Sequence, residues 1–294
     1  MSDDAFEYII PLPDDKLEGE AERLIGFDAR YGRIKADLRL LADPAAVVAW
    51  AKKTYGSVPP ICEVIGDRYP LFILEGDVGT GKTVFARCAA SRLSKELKRD
   101  GNLFALSTRV RGKGAVGEAS SGINAAFARV AADVGKSKLA FLLIDEADSL
   151  VTSRGEAHSH LEDKIAVNTI IQKVDDLRSH GGRFIVFLST NRIATLDAGV
   201  LRRAAAVETF ERPTADERRK LLAQDLNGLD LAPATIAELV TLTGASNGSP
   251  AYTFSDIRTR LLPRIIIPAY PDRKITDADA LAALDGLKPS PVVA

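Results

Sequence analysis

Residues 71–83 read LFILEGDVGTGKT, and the change from apolar to glycine-rich inside that stretch decides how the rest of the chain is read. Leu71 to Leu74 predict a buried strand, and VFARCAASRLSKELKR after Thr83, rich in Ala, Leu, Arg and Lys, predicts a helix. Between them Gly76, Gly79, Gly81, Lys82 and Thr83 satisfy the phosphate-binding pattern G-x-x-x-x-G-K-[ST]. Glycines let the backbone turn tightly with its N–H groups inward. The stretch Gly76, Asp77, Val78, Gly79, Thr80 and Gly81, leading into Lys82, Thr83 and Val84, is therefore expected to cradle an anion at a helix N-terminus. Lys82 is expected on the β- and γ-phosphates of a nucleotide, and the Thr83 hydroxyl on Mg2+.

Outward from this stretch, apolar runs alternate with helical patterns. NLFALST (102–108), LAFLLIDEAD, RFIVFLSTN and AVETF (206–210) read as further strands, with SGINAAFARVAADVG and LEDKIAVNTIIQKVDDLRSH as helices among them. Such repetition predicts an α/β fold, a parallel sheet with helices on both faces. Sheets of this kind bind ligands at the carboxyl ends of their strands, where Gly76, Asp145 and Asn191 all fall. Before the first strand, Tyr31, Ile34, Leu38 and Leu41 keep helical spacing, and DPAAVVAWAKKTYG places Pro44 in a first turn and Gly56 past the end. After Pro213 the strands stop. ADERRKLLAQDL, ATIAELVTLTG, SDIRTRLLPRI and DADALAALDGL predict a small all-helical domain over 213–288, following an α/β domain over 21–212. Residues 1–20, with two prolines and seven acidic residues, are expected to form an irregular lead-in, and 289–294 a frayed tail.

Charges nearly cancel, 39 Lys+Arg against 40 Asp+Glu, so nothing in the balance suggests a polyanion-binding surface, and nucleic acid is not expected as a partner. Cys62 and Cys88 do not read as a disulfide or a zinc pair. No apolar stretch is long enough for a bilayer and the first residues are acidic, so no membrane is expected and the cytoplasm is the expected location. His158 and His160, with Glu156, Glu162 and Asp163, read as a solvated polar connection rather than a metal site.

FLLIDEAD carries the second chemical signal. An apolar strand ending in two acids suits a nucleotide hydrolase, Asp145 holding Mg2+ through its water shell and Glu146 polarising the attacking water. Asn191, ending FLSTN, is placed to hydrogen-bond that water or the γ-phosphate, although Asn also ends strands as a plain turn former. Arg203, with Arg202 as the alternative, is the candidate for a guanidinium supplied to a neighbouring subunit's transferring phosphoryl group; paired arginines on a helix are also commonly just solvated.

GDVGTGKT, LLIDEAD, STN, LDAGVLRR and KITDADALAAL follow one another as in an AAA+ ATPase, which the chain resembles over about residues 24–288. The resemblance implies a P-loop NTPase domain, a helical lid, ATP with Mg2+ bound between them, and a homo-oligomeric ring, usually a hexamer. LIGFDAR looks like the adenine-side element, which assigns Ile25 and Gly26 to the nucleotide. IDEADSLVTSR, then AVNTIIQKVDDLRSH and the asparagine strand, resemble the pachytene-checkpoint branch, which unfolds part of HORMA-domain proteins. In YTFSDIRTRLLP the same resemblance makes Arg258 the lid arginine that contacts nucleotide. Bacterial members of that branch are encoded beside HORMA proteins and nucleotide second-messenger synthases in anti-phage systems. The expectation is therefore an ATP-hydrolysing remodeller of a HORMA-domain partner.

Two departures stand out. Related rings grip substrate with an aromatic residue before V-G-E, whereas this chain reads Gly114, Ala115, Val116, Gly117, Glu118, leaving Val116, Arg109, Arg111 and Lys113 as the gripping candidates. About twenty residues at the front are too few for the recognition domain of eukaryotic relatives. The alternative reading is an AAA+ nucleic-acid motor or loader using the basic 109–113 loop, against which stand the balanced charge and the lack of aromatic residues in that loop.

Overall fold

The computed structural model describes residues 5–107, 110, 117–135, 137–147, 161–246 and 248–293. In chain order these form β1 (Phe6–Leu12), α1 (Asp15–Arg23), α2 (Phe27–Ala42), α3 (Pro44–Tyr55), α4 (Ile61–Gly66), β2 (Leu71–Gly76), α5 (Lys82–Leu97), β3 (Gly101–Leu106), α6 (Glu118–Val134), β4 (Leu139–Ile144), α7 (Leu161–Asp176), β5 (Phe184–Thr190), α8 (Ala198–Leu201) and β6 (Ala204–Phe210). Then follow α9 (Ala215–Asp225), α10 (Pro233–Leu242), a π-helical turn over Asp256–Leu261, α11 (Leu262–Ile266) and α12 (Asp277–Ala282). No helix among the described residues is long and apolar enough to cross a membrane.

The six strands form one sheet in the order β1-β3-β4-β5-β2-β6. β3 with β4, β4 with β5, and β5 with β2 run parallel, and β1 runs antiparallel to β3. Alternate residues of a strand face opposite sides. Leu71, Ile73, Leu142, Ile144, Val186 and Leu188 share a core with Ile123, Phe127 and Val130 of α6 and with Val167, Ile170 and Val174 of α7. In the opposite register, Phe187 lies 5.8 Å from Phe72 and 6.2 Å from Phe141, centroid to centroid. Phe85 of α5, fully buried outside that first core, meets Phe27 of α2 at 5.5 Å. Burial on both faces is why these strands read as unbroken apolar runs.

Residues 5–20 depart from the irregular lead-in expected of 1–20. FEYIIPL adds to the chain's own sheet as edge strand β1, with Ile9 opposite Phe104 and Pro11 opposite Asn102. An edge strand has one unpaired side and so tolerates a proline that reads locally as a breaker. The acids that followed it are not merely solvated: on α1, Glu18 accepts from Arg92 and Glu20 from Arg87, each at 2.8 Å, binding α1 to α5.

By internal contacts the chain divides into two compact units. The first comprises the residues up to Arg23, Phe27–Glu75 and Thr83–Thr209, and so holds nearly all of the sheet. The second comprises Leu24–Gly26, Gly76–Lys82 and the residues from Phe210 on. Its helices close on Leu221, Leu222, Leu239, Ile257, Leu261, Ile265 and Ala280. Capping boxes start two of them, Thr214 with Glu217 on α9 and Thr276 with Asp279 on α12, satisfying N–H groups that a helix start leaves orphaned. Residues 289–293 are anchored rather than frayed. Ser290 donates from Oγ (2.6 Å) and from its backbone N (3.0 Å) to Asp256, which is 2 % exposed. Burial alone would push the Asp256 carboxyl up, but hydrogen bonds from Ser290, Thr253 and Arg260 hold it down at about 2.

Candidate nucleotide site

The loop from Gly76 to Lys82 turns on three glycines with positive φ, at 140°, 79° and 99° for Gly76, Gly79 and Gly81. Two of them also have no room for a side chain. A Cβ on Gly76 would strike the carbonyl of Phe210, and one on Gly79 would lie 2.7 Å from Ser255 Cβ and 2.8 Å from Thr253 Oγ1. Lys82 is buried, its ammonium donating to the carbonyls of Gly76 (2.7 Å) and Asp77 (2.8 Å), so the loop curls around that charge. Thr80 Oγ1 also donates to the Asp77 carbonyl, at 2.8 Å, and Val78 stands exposed. Within the same unit, Gly79 O accepts from Ser255 N at 3.0 Å and Leu24 packs 3.5 Å from where a Gly81 Cβ would be. Ile25, beside Gly26 (φ 78°), packs on the helical core, so the adenine-side element expected from the sequence folds with the loop and the lid helices.

Thr83, the next residue along α5, belongs to the sheet unit, where its Oγ1 donates to Asp145 Oδ2 at 2.6 Å. The sheet explains this meeting across a 62-residue separation. β5 lies between β4 and β2, with Ile144 opposite Leu188 and Glu75 opposite Thr190, so Asp145 and Asn191 leave their strands at the same carboxyl edge as the end of β2. A hydroxyl and a carboxylate converging there are hard oxygen donors of the kind Mg2+ takes, so the residues present fit that ion. Asp145 Oδ1 accepts from the backbone N of Glu146 at 3.0 Å. Glu146 itself is exposed and has φ 49°, a left-handed conformation that costs a non-glycine residue energy and recurs at functional turns. Asn191 is half-buried, and so is Val84, the third residue of α5.

Residues 72–212 match the model of the ATPase family associated with various cellular activities (AAA). A relative named CD-NTase-associated protein 6, from Escherichia coli strain KTE188, is 45 % identical over 98 % of this chain and 97 % of its own length. The chain belongs to the AAA ATPase family. Two solved structures agree along the whole AAA chain. One, titled as the structure of the E. coli MS115-1 HORMA:CdnC:Trip13 complex, contains a chain with TM-score 0.91 and 37 % identity, covering 100 % of this chain and 99 % of that one. The other, of Rhizobiales Trip13, has TM-score 0.72 and 31 % identity over 97 % of this chain and 99 % of that one. These Trip13 matches lie in the branch to which the sequence motifs pointed.

In this AAA chain the two candidate arginines after β5 part company. Arg203 is held within its own chain: Nε and Nη2 donate to Asp175 at 2.5 and 2.9 Å, Nη1 donates to Gly199 O at 2.9 Å, and the guanidinium lies over the ring of Tyr69. The hydrogen bond to Asp175 raises its pKa further above the ordinary arginine value. Arg202 is the exposed one of the pair. Arg258, the lid candidate, donates from Nε (2.6 Å) and Nη2 (3.0 Å) to Asp225. Cys88 is fully buried and its thiol is pushed up to about 12 by that burial, consistent with packing rather than chemistry. Arg109, Arg111, Lys113, Gly114 to Val116, His158 and His160 lie outside the described residues.

Sequence reasoning missed Arg212 and Asp175. Arg212 donates to Asp77 Oδ2 at 2.6 Å, and Asp175 fixes Arg203. Asp175 stands inside AVNTIIQKVDDLRSH, a stretch read only for its resemblance, and Arg212 belongs to none of the quoted motifs. The one available signal was Asp77 itself, an acid inside a loop built for anions, which requires a cationic partner somewhere.

Proposed function

We propose that this ATPase works as a homo-oligomeric ring, a hexamer, that spends ATP hydrolysis on partly unfolding or disassembling a HORMA-domain partner, in the cytoplasm and within an anti-phage system. The observation that carries this reading is the end-to-end likeness to a chain solved in the HORMA:CdnC:Trip13 complex. A match over 100 % of this chain includes the helical unit and the flanking segments as well as the nucleotide motifs that all such ATPases share.

In this reading Lys82 pairs with the β- and γ-phosphates, and the N–H groups of Gly79 to Thr83 line the anion cradle. Thr83 and Asp145 would hold Mg2+, which would supply charge neutralisation at the phosphates. Glu146 accepts a proton from the attacking water and Asn191 orients it. Arg202 reaches a neighbour's transferring phosphoryl group, its exposure and the engagement of Arg203 supporting that choice. Ile25, Gly26 and Arg258 serve the nucleotide from the lid side, Arg258 by exchanging Asp225 for phosphate.

The test adds a HORMA protein encoded beside this gene to the ATPase. Turnover should rise, because engaged substrate biases subunits toward their hydrolysing arrangement. Val116→Asp should remove that stimulation and spare basal turnover. Stimulation by single-stranded DNA that declines steeply with salt, with none from the HORMA protein, would replace this reading with the nucleic-acid motor.

A further inference from the structure

Asp77 places a carboxylate in a loop whose ligand is polyanionic, and like charges at such range repel. In this chain both of its carboxylate oxygens are engaged. Oδ2 accepts from Arg212 Nε at 2.6 Å, and Oδ1 from the backbone N of Val293 at 3.1 Å. Arg212 distributes its remaining donors to Ala251 O (Nη1, 2.6 Å) and to Ser290 O and Pro291 O (Nη2, 2.9 Å each). Both side chains are nearly buried, at 11 % and 14 % exposure, so the ion pair is little screened. Ser290 is fastened in turn to buried Asp256. Residues 290–293 therefore run as a strap from Asp256 to Asp77. The backbone of Asp77 meanwhile accepts from Lys82 and Thr80.

We propose that Arg212 and the strap Ser290–Val293 are positioning residues of the phosphate loop: they neutralise Asp77 and fix the peptide whose carbonyl orients Lys82, so that ATP affinity depends on residues more than two hundred positions away. The proposal rests on the reading of Gly76 to Thr83 as the nucleotide site. It gives the lid sequence a role that no nucleotide-contacting motif accounts for. Loss of the arginine leaves an uncompensated negative charge in the loop that would hold phosphate, whereas loss of the acid leaves a cation beside it. A contact that only supported folding would show no such asymmetry.

The test measures ATP Kd, KM and kcat in the full chain for Asp77→Asn, Arg212→Gln and the two combined. Arg212→Gln should raise Kd and KM about tenfold with kcat within about threefold of wild type. Asp77→Asn should lose at least about threefold less ATP affinity than Arg212→Gln, and the double variant should recover to the level of Asp77→Asn. Unchanged Kd in Arg212→Gln, or equal losses in both single variants with no recovery in the pair, overturns the proposal. Should Arg212→Gln not fold, Val293→Pro carries the same question, since it removes the N–H that Asp77 Oδ1 accepts. It should raise Kd about threefold in the wild-type background and not with Asp77→Ala, and an unchanged Kd overturns the proposal equally. Lys82→Ala serves as the separate control. Wild-type affinity there would mean that the nucleotide-site reading has failed, whatever the strap does.

Discussion

The phosphate motif begins and ends in differently built surroundings. At its end, Thr83 meets Asp145 at 2.6 Å because two parallel strands on either side of β5 release their chains at one edge of a sheet buried on both faces. At its beginning, Asp77 meets Arg212 at a similar 2.6 Å, yet that contact depends on the connection after β6 and on a strap that no regular element carries. The first pair brings together two groups that would hold the same ion. The second brings together groups that hold the loop. Thr83 and Asp145 are thus placed by the sheet, while the conformation of the loop is set by side chains of the helical unit, where single bonds decide more.

That contrast orders the expected effects of mutation. Lys82 is held by the loop and, in the proposed function, pairs with phosphate, so Lys82→Ala should show the largest loss, at least about 100-fold in ATP affinity by titration with a fluorescent nucleotide. Comparable affinity in the variant would break the comparison at its root. The arginines after β5 come next. Arg202→Ala should lower kcat by about 100-fold with little change in ATP Kd, the signature of a group acting on the transition state alone. Arg203→Ala should act chiefly on folding, costing roughly 1–2 kcal/mol, because Asp175 loses its bidentate partner and Tyr69 its cation. Thermal unfolding beside steady-state kinetics separates the two. If Arg203→Ala instead shows wild-type stability and the larger kcat loss, the assignments exchange. The smallest effect belongs to a residue outside both regions. Thr214→Ala removes the capping box of α9 and should cost about 1 kcal/mol of stability, with ATP affinity unchanged. A measurable loss of affinity there would mean that the helical unit transmits more to the loop than the strap alone.

How much of this was legible in the sequence follows the same division. Residues 71–74, 139–144 and 184–190 announced themselves because burial on two faces leaves no polar alternation to obscure a strand. The loop between β2 and α5 announced itself because positive φ and close contact leave only glycine at Gly76 and Gly79. Helix α3 was legible at both ends, Asp43 capping its start and Gly56 taking φ 74° after it. By contrast, β1 carries a proline and acidic neighbours that argue locally for irregular chain, and its order comes from pairing with β3 roughly a hundred residues later. The 289–293 segment reads as a tail for the same reason: its partners are Asp256, Arg212 and Asp77, the last separated from Val293 by 216 positions. Arg202 and Arg203 are neighbours of one type, and only the placement of Asp175, 28 residues earlier, tells which is held and which is offered.

The central claim is that the acid pair ending β4 divides its work, Asp145 holding the metal with Thr83 and Glu146 activating water. Glu146→Gln keeps the size and turn of the side chain while removing its charge as a base. Measured together, ATP Kd should stay within about threefold of wild type while kcat falls by about a thousandfold. Near-normal turnover in that variant, with ATP still bound, would contradict the account.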